Sequence, residues 1–151
     1  MTQHPDNPAA LKAWTALFHT ERSLQDRIED HLKRAGLPPL DWYDVLRELE
    51  VSEHGMLRQT AVQRSTELAQ YNVCRLIDRL EREGLVARRS CPVDGRNNVV
   101  VITDKGLALG RRMAPVYEAA VAEHVGQHLS LQEAEQLTGI LAKLKRQNRN
   151  P

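Results

Sequence analysis

Several things are scarce in this chain of 151 residues, and each scarcity narrows what it can be. Aromatic residues make up only 4%, so a core must be built mainly from Leu, Val, Ile and Ala. Cysteine occurs twice, as Cys74 and Cys91, in no CxxC pair, which argues against a disulfide framework or a thiolate zinc site. No run approaches the ~18 apolar residues needed to cross a bilayer, so no membrane partner is expected. The opening Met1-Thr2-Gln3-His4-Pro5-Asp6 has neither the basic patch nor the apolar stretch of a signal peptide, and a cytoplasmic protein is the expectation. No phosphate loop, nucleophile–base spacing or metal triad can be found among the six His and scattered carboxylates. An enzyme is therefore not expected, and no cofactor or metal is implied.

Charge of one sign is also lacking overall, since the net is only +1, but its distribution is uneven. Residues 1–55 carry a net of −4, residues 56–105 a net of +3, and residues 106–151 a net of +2. The basic middle is rich in Arg with almost no Lys, and Arg suits bidentate contact with phosphate and base edges. A solvated surface of mixed charge would account for the same numbers.

The apolar pattern predicts a single domain of 100–200-residue type, mainly helical. Asn7-Pro8 opens a long helix, with Leu11, Trp14, Leu17, Phe18, Leu24, Ile28 and Leu32 at helical spacing and Gly36 as its stop. Its apolar stripe is longer than a small monomer can easily cover, which asks for a partner chain. Pro38-Pro39 breaks the chain, and a second helix carries Trp42, Val45, Leu46 and Leu49, ending at His54-Gly55. Met56-Leu57-Arg58 reads as a very short strand and Gln59 to Ser65 as a short third helix. A fourth helix from Ala69 to Glu83 shows Val73, Leu76, Ile77 and Leu80 on one face, with Gln70, Asn72, Arg75, Asp78, Arg79 and Arg82 off it; Gly84 stops it. The period then changes to two: residues 86–90 and 99–103 read as strands around a turn-rich loop with Asp94-Gly95-Arg96 at its tip. A fifth helix opens at Thr103-Asp104 and runs through His124, with a kink expected at Pro115, and a sixth opens at the capping box Ser130-Leu131-Gln132-Glu133.

A short helix, a two-faced helix and a basic hairpin in this order read as a winged helix-turn-helix. The major groove admits one α-helix, which must show long hydrogen-bonding side chains on one face and a packing stripe on the other. Gln70, Tyr71, Asn72, Cys74, Arg75 and Arg79 lie where such a helix would meet DNA, and Arg88, Asp94 and Arg96 belong to the hairpin that would reach the neighbouring minor groove. The stretch Asn72 to Arg88, the tip Asp94-Gly95-Arg96, the segment Ile102-Thr103-Asp104-Lys105-Gly106 and the helix opening Leu40 to Leu46 together resemble the MarR family of bacterial regulators. The resemblance spans residues 10–146. It implies helices at 8–36 and 104–146 that interlock in a homodimer, a winged helix-turn-helix at 39–103, and binding of double-stranded DNA at a palindromic operator, with repression the expected outcome. It also implies a small-molecule effector in a crevice between these parts.

Cys74 stands where the family usually has Ser; it is either a small packed residue at the DNA face or a redox switch, the packed reading being preferred. Trp14, Trp42 and Tyr43 are candidates for lining a crevice for an aromatic effector, although core packing is the preferred reading of both tryptophans. His124 and His128 are spaced i, i+4, but Gly126 between them argues against one continuous helix and hence against a metal site. The alternative function is a winged-helix protein-interaction module without DNA binding, against which Arg75, Arg79 and Arg96 argue.

Overall fold

A computed structural model describes residues 7–66, 70–90 and 98–147. Among them the order is α1 (Pro8–Arg34), α2 (Leu40–Val51), β1 (Met56–Arg58), α3 (Gln59–Thr66), α4 (Gln70–Arg82), β2 (Val86–Ser90), β3 (Asn98–Ile102), α5 (Asp104–Val121) and α6 (Leu131–Gln147). The mainly helical architecture with a small antiparallel sheet is the expected one. The expected wing tip with Cys91, Asp94 and Arg96 lies outside the described residues, as do the side chains of Gln70 and Tyr71.

Local chemistry sets most boundaries. Asn7 caps α1 through its Oδ1, which accepts the Ala10 N–H at 3.2 Å. At the other end Gly36 takes φ 69°, and Leu37 N–H reaches back to the Leu32 carbonyl at 2.9 Å. The same device ends α4: Gly84 has φ 72°, and Leu85 N–H bonds the Leu80 carbonyl at 2.9 Å. In α6 the capping box is closed both ways, Ser130 N–H to Glu133 Oε1 and Glu133 N–H to Ser130 Oγ, each 3.1 Å.

Two helices stop earlier than their apolar period suggests. α2 ends at Val51 because the Ser52 N–H and hydroxyl both bond the Leu49 carbonyl, at 3.2 and 2.6 Å. Glu53–Gly55 then form a single 3₁₀ turn with His54 at φ 57°, which leads into β1. α5 continues through Pro115 to Val121 and gives way to a π-helical turn, Ala122–Gly126, instead of running on through His124. There Gln127 N–H reaches five residues back to the Ala122 carbonyl at 2.9 Å.

The sheet order is β1-β3-β2, all antiparallel, with Leu57 and Arg88 both opposite Val100 and Arg58 and Arg89 both opposite Val99. The chain divides into two compact units, residues 29–117 and residues 1–28 with 118–151. The division falls within α1 and α5.

In the 29–117 unit, the core joins Val45, Leu46 and Leu49 of α2, Val62 of α3, Val73, Leu76, Ile77 and Leu80 of α4, and Leu85, Val86 and Val100 of the sheet region. A second cluster packs Leu32 and Met113 with Tyr43. That packing explains why the end of α1 and the first part of α5 belong to this unit. Burying one such leucine or valine stabilises by about 1.5–3 kcal/mol, so α4 is held firmly by one face. The other unit contains α1 as far as Ile28, the end of α5, the π turn and α6. It keeps Leu11, Trp14 and Phe18 of α1 and Leu137, Ile140, Leu141 and Leu144 of α6 exposed, with Trp14 at 60% and Ile140 at 55%.

Candidate nucleic-acid interface

The spacing of α4 separates two kinds of side chain. Val73, Leu76, Ile77 and Leu80 face the core, whereas Asn72, Arg75 and Arg79 stand exposed at i, i+3 and i+7. Val73, Leu76, Ile77 and Leu80 are all apolar, so the packing of this helix does not use Asn72, Arg75 or Arg79. Asn offers a donor and an acceptor side by side, and Arg a planar fork, the groups that read adenine and guanine edges or hold phosphate. Arg79 also lies within electrostatic reach of Asp41 at the start of α2. Asp41 is half-buried, and burial raises its pKa against the backbone hydrogen bonds and the Arg79 charge that lower it.

Cys74 turns from the exposed face toward the start of α3. The Gln59 amide donates to its Sγ at 2.9 Å, and the residue is only half-buried. This contact ties the first residue of α3 to the second turn of α4 and fits the packed reading of a small side chain.

Arg88 takes a place that spacing alone does not reveal. The sequence puts it among the DNA-facing residues, yet its guanidinium pairs with Asp78 and with Glu81 Oε1 at 3.4 Å. Its backbone N–H also donates to Glu81 Oε2 at 2.9 Å. Arg89, absent from the sequence-based selection, is exposed instead, and so is Arg64 of α3. The signal for Arg89 was the period-two alternation of β2 itself, read one residue further.

The junction between α4 and β2 is fixed from α5. Thr103 Oγ1 donates to the Gly84 carbonyl at 2.7 Å while accepting the Gly106 N–H at 3.1 Å, so one hydroxyl both caps α5 and holds the turn after α4. Lys105 Nζ donates to the Glu83 carbonyl at 2.7 Å. A Cβ on Gly106 would stand 2.1 Å from the Leu85 carbonyl oxygen, so the motif's glycine is demanded by close backbone approach.

The three aromatic candidates for an effector crevice point to different places. Trp42 lines an open cavity of about 280 Å³ with Pro38, Leu85, Leu109, Lys105 and Arg112. Tyr43 is buried, its ring 4.8 Å from that of Tyr117 and tilted against it by 38°. Trp14 belongs to the other unit and, contrary to the core-packing reading, is exposed, its ring 5.8 Å from that of Phe18. Core packing holds for Trp42 in part, since it sits against the main cluster while bordering the cavity.

Comparison with known proteins finds one family repeatedly. Residues 35–97 match the MarR family. Over 135 residues the chain is 29% identical to the HTH-type transcriptional regulator MhqR of Bacillus subtilis (strain 168), covering 89% of this chain and 90% of that one. Among solved structures, AbsC, a MarR family transcriptional regulator from Streptomyces coelicolor, is 26% identical with a TM-score of 0.85, over 95% of this chain and 96% of that chain. Sco3205 from the same organism, a MarR family transcriptional regulator solved in complex with DNA, matches the fold with a TM-score of 0.89 at 24% identity, over 99% of this chain and 94% of that one. No helix among the described residues is long and apolar enough to cross a membrane. Sequence match, relatives and fold agree in what the chain is similar to: winged-helix transcriptional regulators of the MarR family, whose pattern its residues 35–97 match.

Proposed function

We propose that the protein is a homodimeric repressor that binds a palindromic site in double-stranded DNA through α4 and the wing, and that a small molecule releases it. The observation that carries this reading is the two-faced α4, whose apolar side is buried to the last residue while Asn72, Arg75 and Arg79 stand exposed together. Asn72, with Gln70 and Tyr71, would read base edges; Arg75, Arg79 and Arg96 would supply charge; Asp94 would shape the wing tip. The solved complex of Sco3205 with DNA supports the same use of the fold.

Dimerisation is supported by the exposed apolar side chains of α1 and α6, which a second copy would cover. On this reading helices in the 8–36 and 104–146 stretches form the dimer and residues 39–103 the DNA-binding part. The cavity beside Trp42, lined also by Glu83, Lys105 and Arg112, is where a small effector, aromatic or other, would sit against the end of α4.

Selection of a random duplex library by the protein tests the DNA-binding reading. An enriched sequence with two-fold symmetry is expected, and Arg75→Ala should weaken its binding by about 1–3 kcal/mol. If no duplex is enriched, the protein-interaction alternative replaces this reading.

A further inference from the structure

Arg88 and Arg89 are neighbours on β2, and the pleat sends their side chains to opposite faces of the sheet. Arg88 lies in the register row Leu57–Val100–Arg88, and Leu57 and Val100 belong to the core side. Its side chain is only 23% exposed and is engaged by Asp78 and Glu81 of α4. Arg89 lies in the other row, Arg58–Val99–Arg89, on the face away from the core. It is exposed, whereas Val99 between the two arginines of that row is 8% exposed.

We infer that these adjacent arginines have separate roles: Arg89 contacts the DNA phosphate backbone from the outer sheet face, while Arg88 is a positioning residue that touches no DNA and fastens β2 to α4. The inference rests on the DNA-binding reading above. One guanidinium between two carboxylates is a cluster of net charge −1, which a phosphate would avoid. The same cluster joins the two elements that must fit the DNA together, by two ion pairs and a backbone hydrogen bond. Breaking it lets β2 shift against α4 and leaves Asp78 and Glu81 unpaired beside the proposed contact face. Arg89 has no such carboxylate clamp among the ion pairs of the described residues, and its place in the outward row leaves its charge available for phosphate.

The test uses fluorescence anisotropy with a labelled 30-base-pair duplex enriched by the wild-type dimer, read over a range of salt concentrations. A residue that contacts phosphate lowers the log–log salt slope by about one unit when lost, and weakens binding about eightfold in 0.1 M salt. That is the expected result for Arg89→Met. Arg88→Met should weaken binding about tenfold with the slope unchanged, because the number of phosphates neutralised stays the same. Asp78→Asn should weaken binding in the same way, and the double variant should be no worse than either single one. Arg88→Lys, which keeps a cation between the carboxylates, should recover most of the loss and serves if the methionine variant folds poorly. Tighter binding by Asp78→Asn, or a lower slope for Arg88→Met, would show Arg88 at the DNA and overturn the proposal. So would an unchanged slope for Arg89→Met. If the wild type enriches no duplex, the DNA-binding reading falls first and this inference with it.

Discussion

At the scale of single residues, α2 carries a titrating group close to neutrality. Burial, reinforced by the carboxylate of Asp41 and opposed by Arg47, raises Asp44 to about 6, with Glu48 and Glu29 pushing the same way. The folded chain therefore holds a proton at Asp44 that the unfolded chain, with an ordinary Asp value near 3.8, has already lost. Stability from this group is full below the unfolded value and declines as pH rises through about 6. We expect wild type to melt higher at pH 5 than at pH 7.5, and Asp44→Asn to flatten that difference while raising the melting temperature at pH 7.5 by about 3 °C. Thermal melts of both proteins across this range check it; an unaltered pH profile in Asp44→Asn would count against the assignment. Such features were invisible in the sequence, where Asp41 and Asp44 look like ordinary solvated carboxylates of an acidic first third. The same holds for Arg88. Strand alternation separates Arg88 from Arg89, but only the packing of β2 beside α4 says which of them meets carboxylates. By contrast, the exposure of Asn72, Arg75 and Arg79 was legible, because helical spacing alone separates them from Val73, Leu76, Ile77 and Leu80.

At the scale of elements, boundaries set by a local device were legible and those set by competition were not. Asn7, Gly36, Gly84 and the Ser130–Glu133 box act within a few residues of themselves, so spacing suffices to find them. The early end of α2 depends on a serine that takes the Leu49 carbonyl twice, and the end of α5 on a π turn, neither of which the apolar period registers. Between these cases stands Gly106. The motif marks it, but only the structure gives the reason, the Leu85 carbonyl on which any side chain would fall. Gly106→Ala should therefore destabilise by about 2–4 kcal/mol, although alanine is elsewhere the better helix former. Chemical denaturation with helical signal as readout checks this. A neutral or stabilising result would mean that the junction of α4, β2 and α5 is loose.

At the scale of the whole molecule, the exposed leucines and isoleucine of α6 predict how the protein assembles. An obligate dimer of this kind buries more than about 2,000 Å² in total, and its melting temperature rises with protein concentration. Ile140→Glu, at a position 55% exposed in the single chain, should place an unpaired carboxylate in each half of such an interface and cost about 3 kcal/mol or more of association. Sedimentation equilibrium is the decisive measurement: wild type is expected as a dimer at micromolar concentration and Ile140→Glu shifted toward monomer. A wild-type chain that remains a folded monomer would remove the assembly reading.

The division of the chain into one continuous and one split unit bears on the order of its making. The 29–117 unit is one uninterrupted stretch, and the other joins residues 1–28 to residues from 118 onward. During synthesis, a chain extended past residue 117 already contains every contact of the continuous unit, whose core can close while translation proceeds. The split unit has to wait, its first helix emerging early with Leu11, Trp14 and Phe18 and no α6 beside them in the chain. Its loop must close across the whole continuous unit, and that unit's prior folding shortens the effective loop to its end-to-end span. On the proposed function, the nascent protein would thus acquire its surface for nucleic acid before its surface for a second copy, and the apolar part of α1 is the segment that a chaperone would have to shield in the interval.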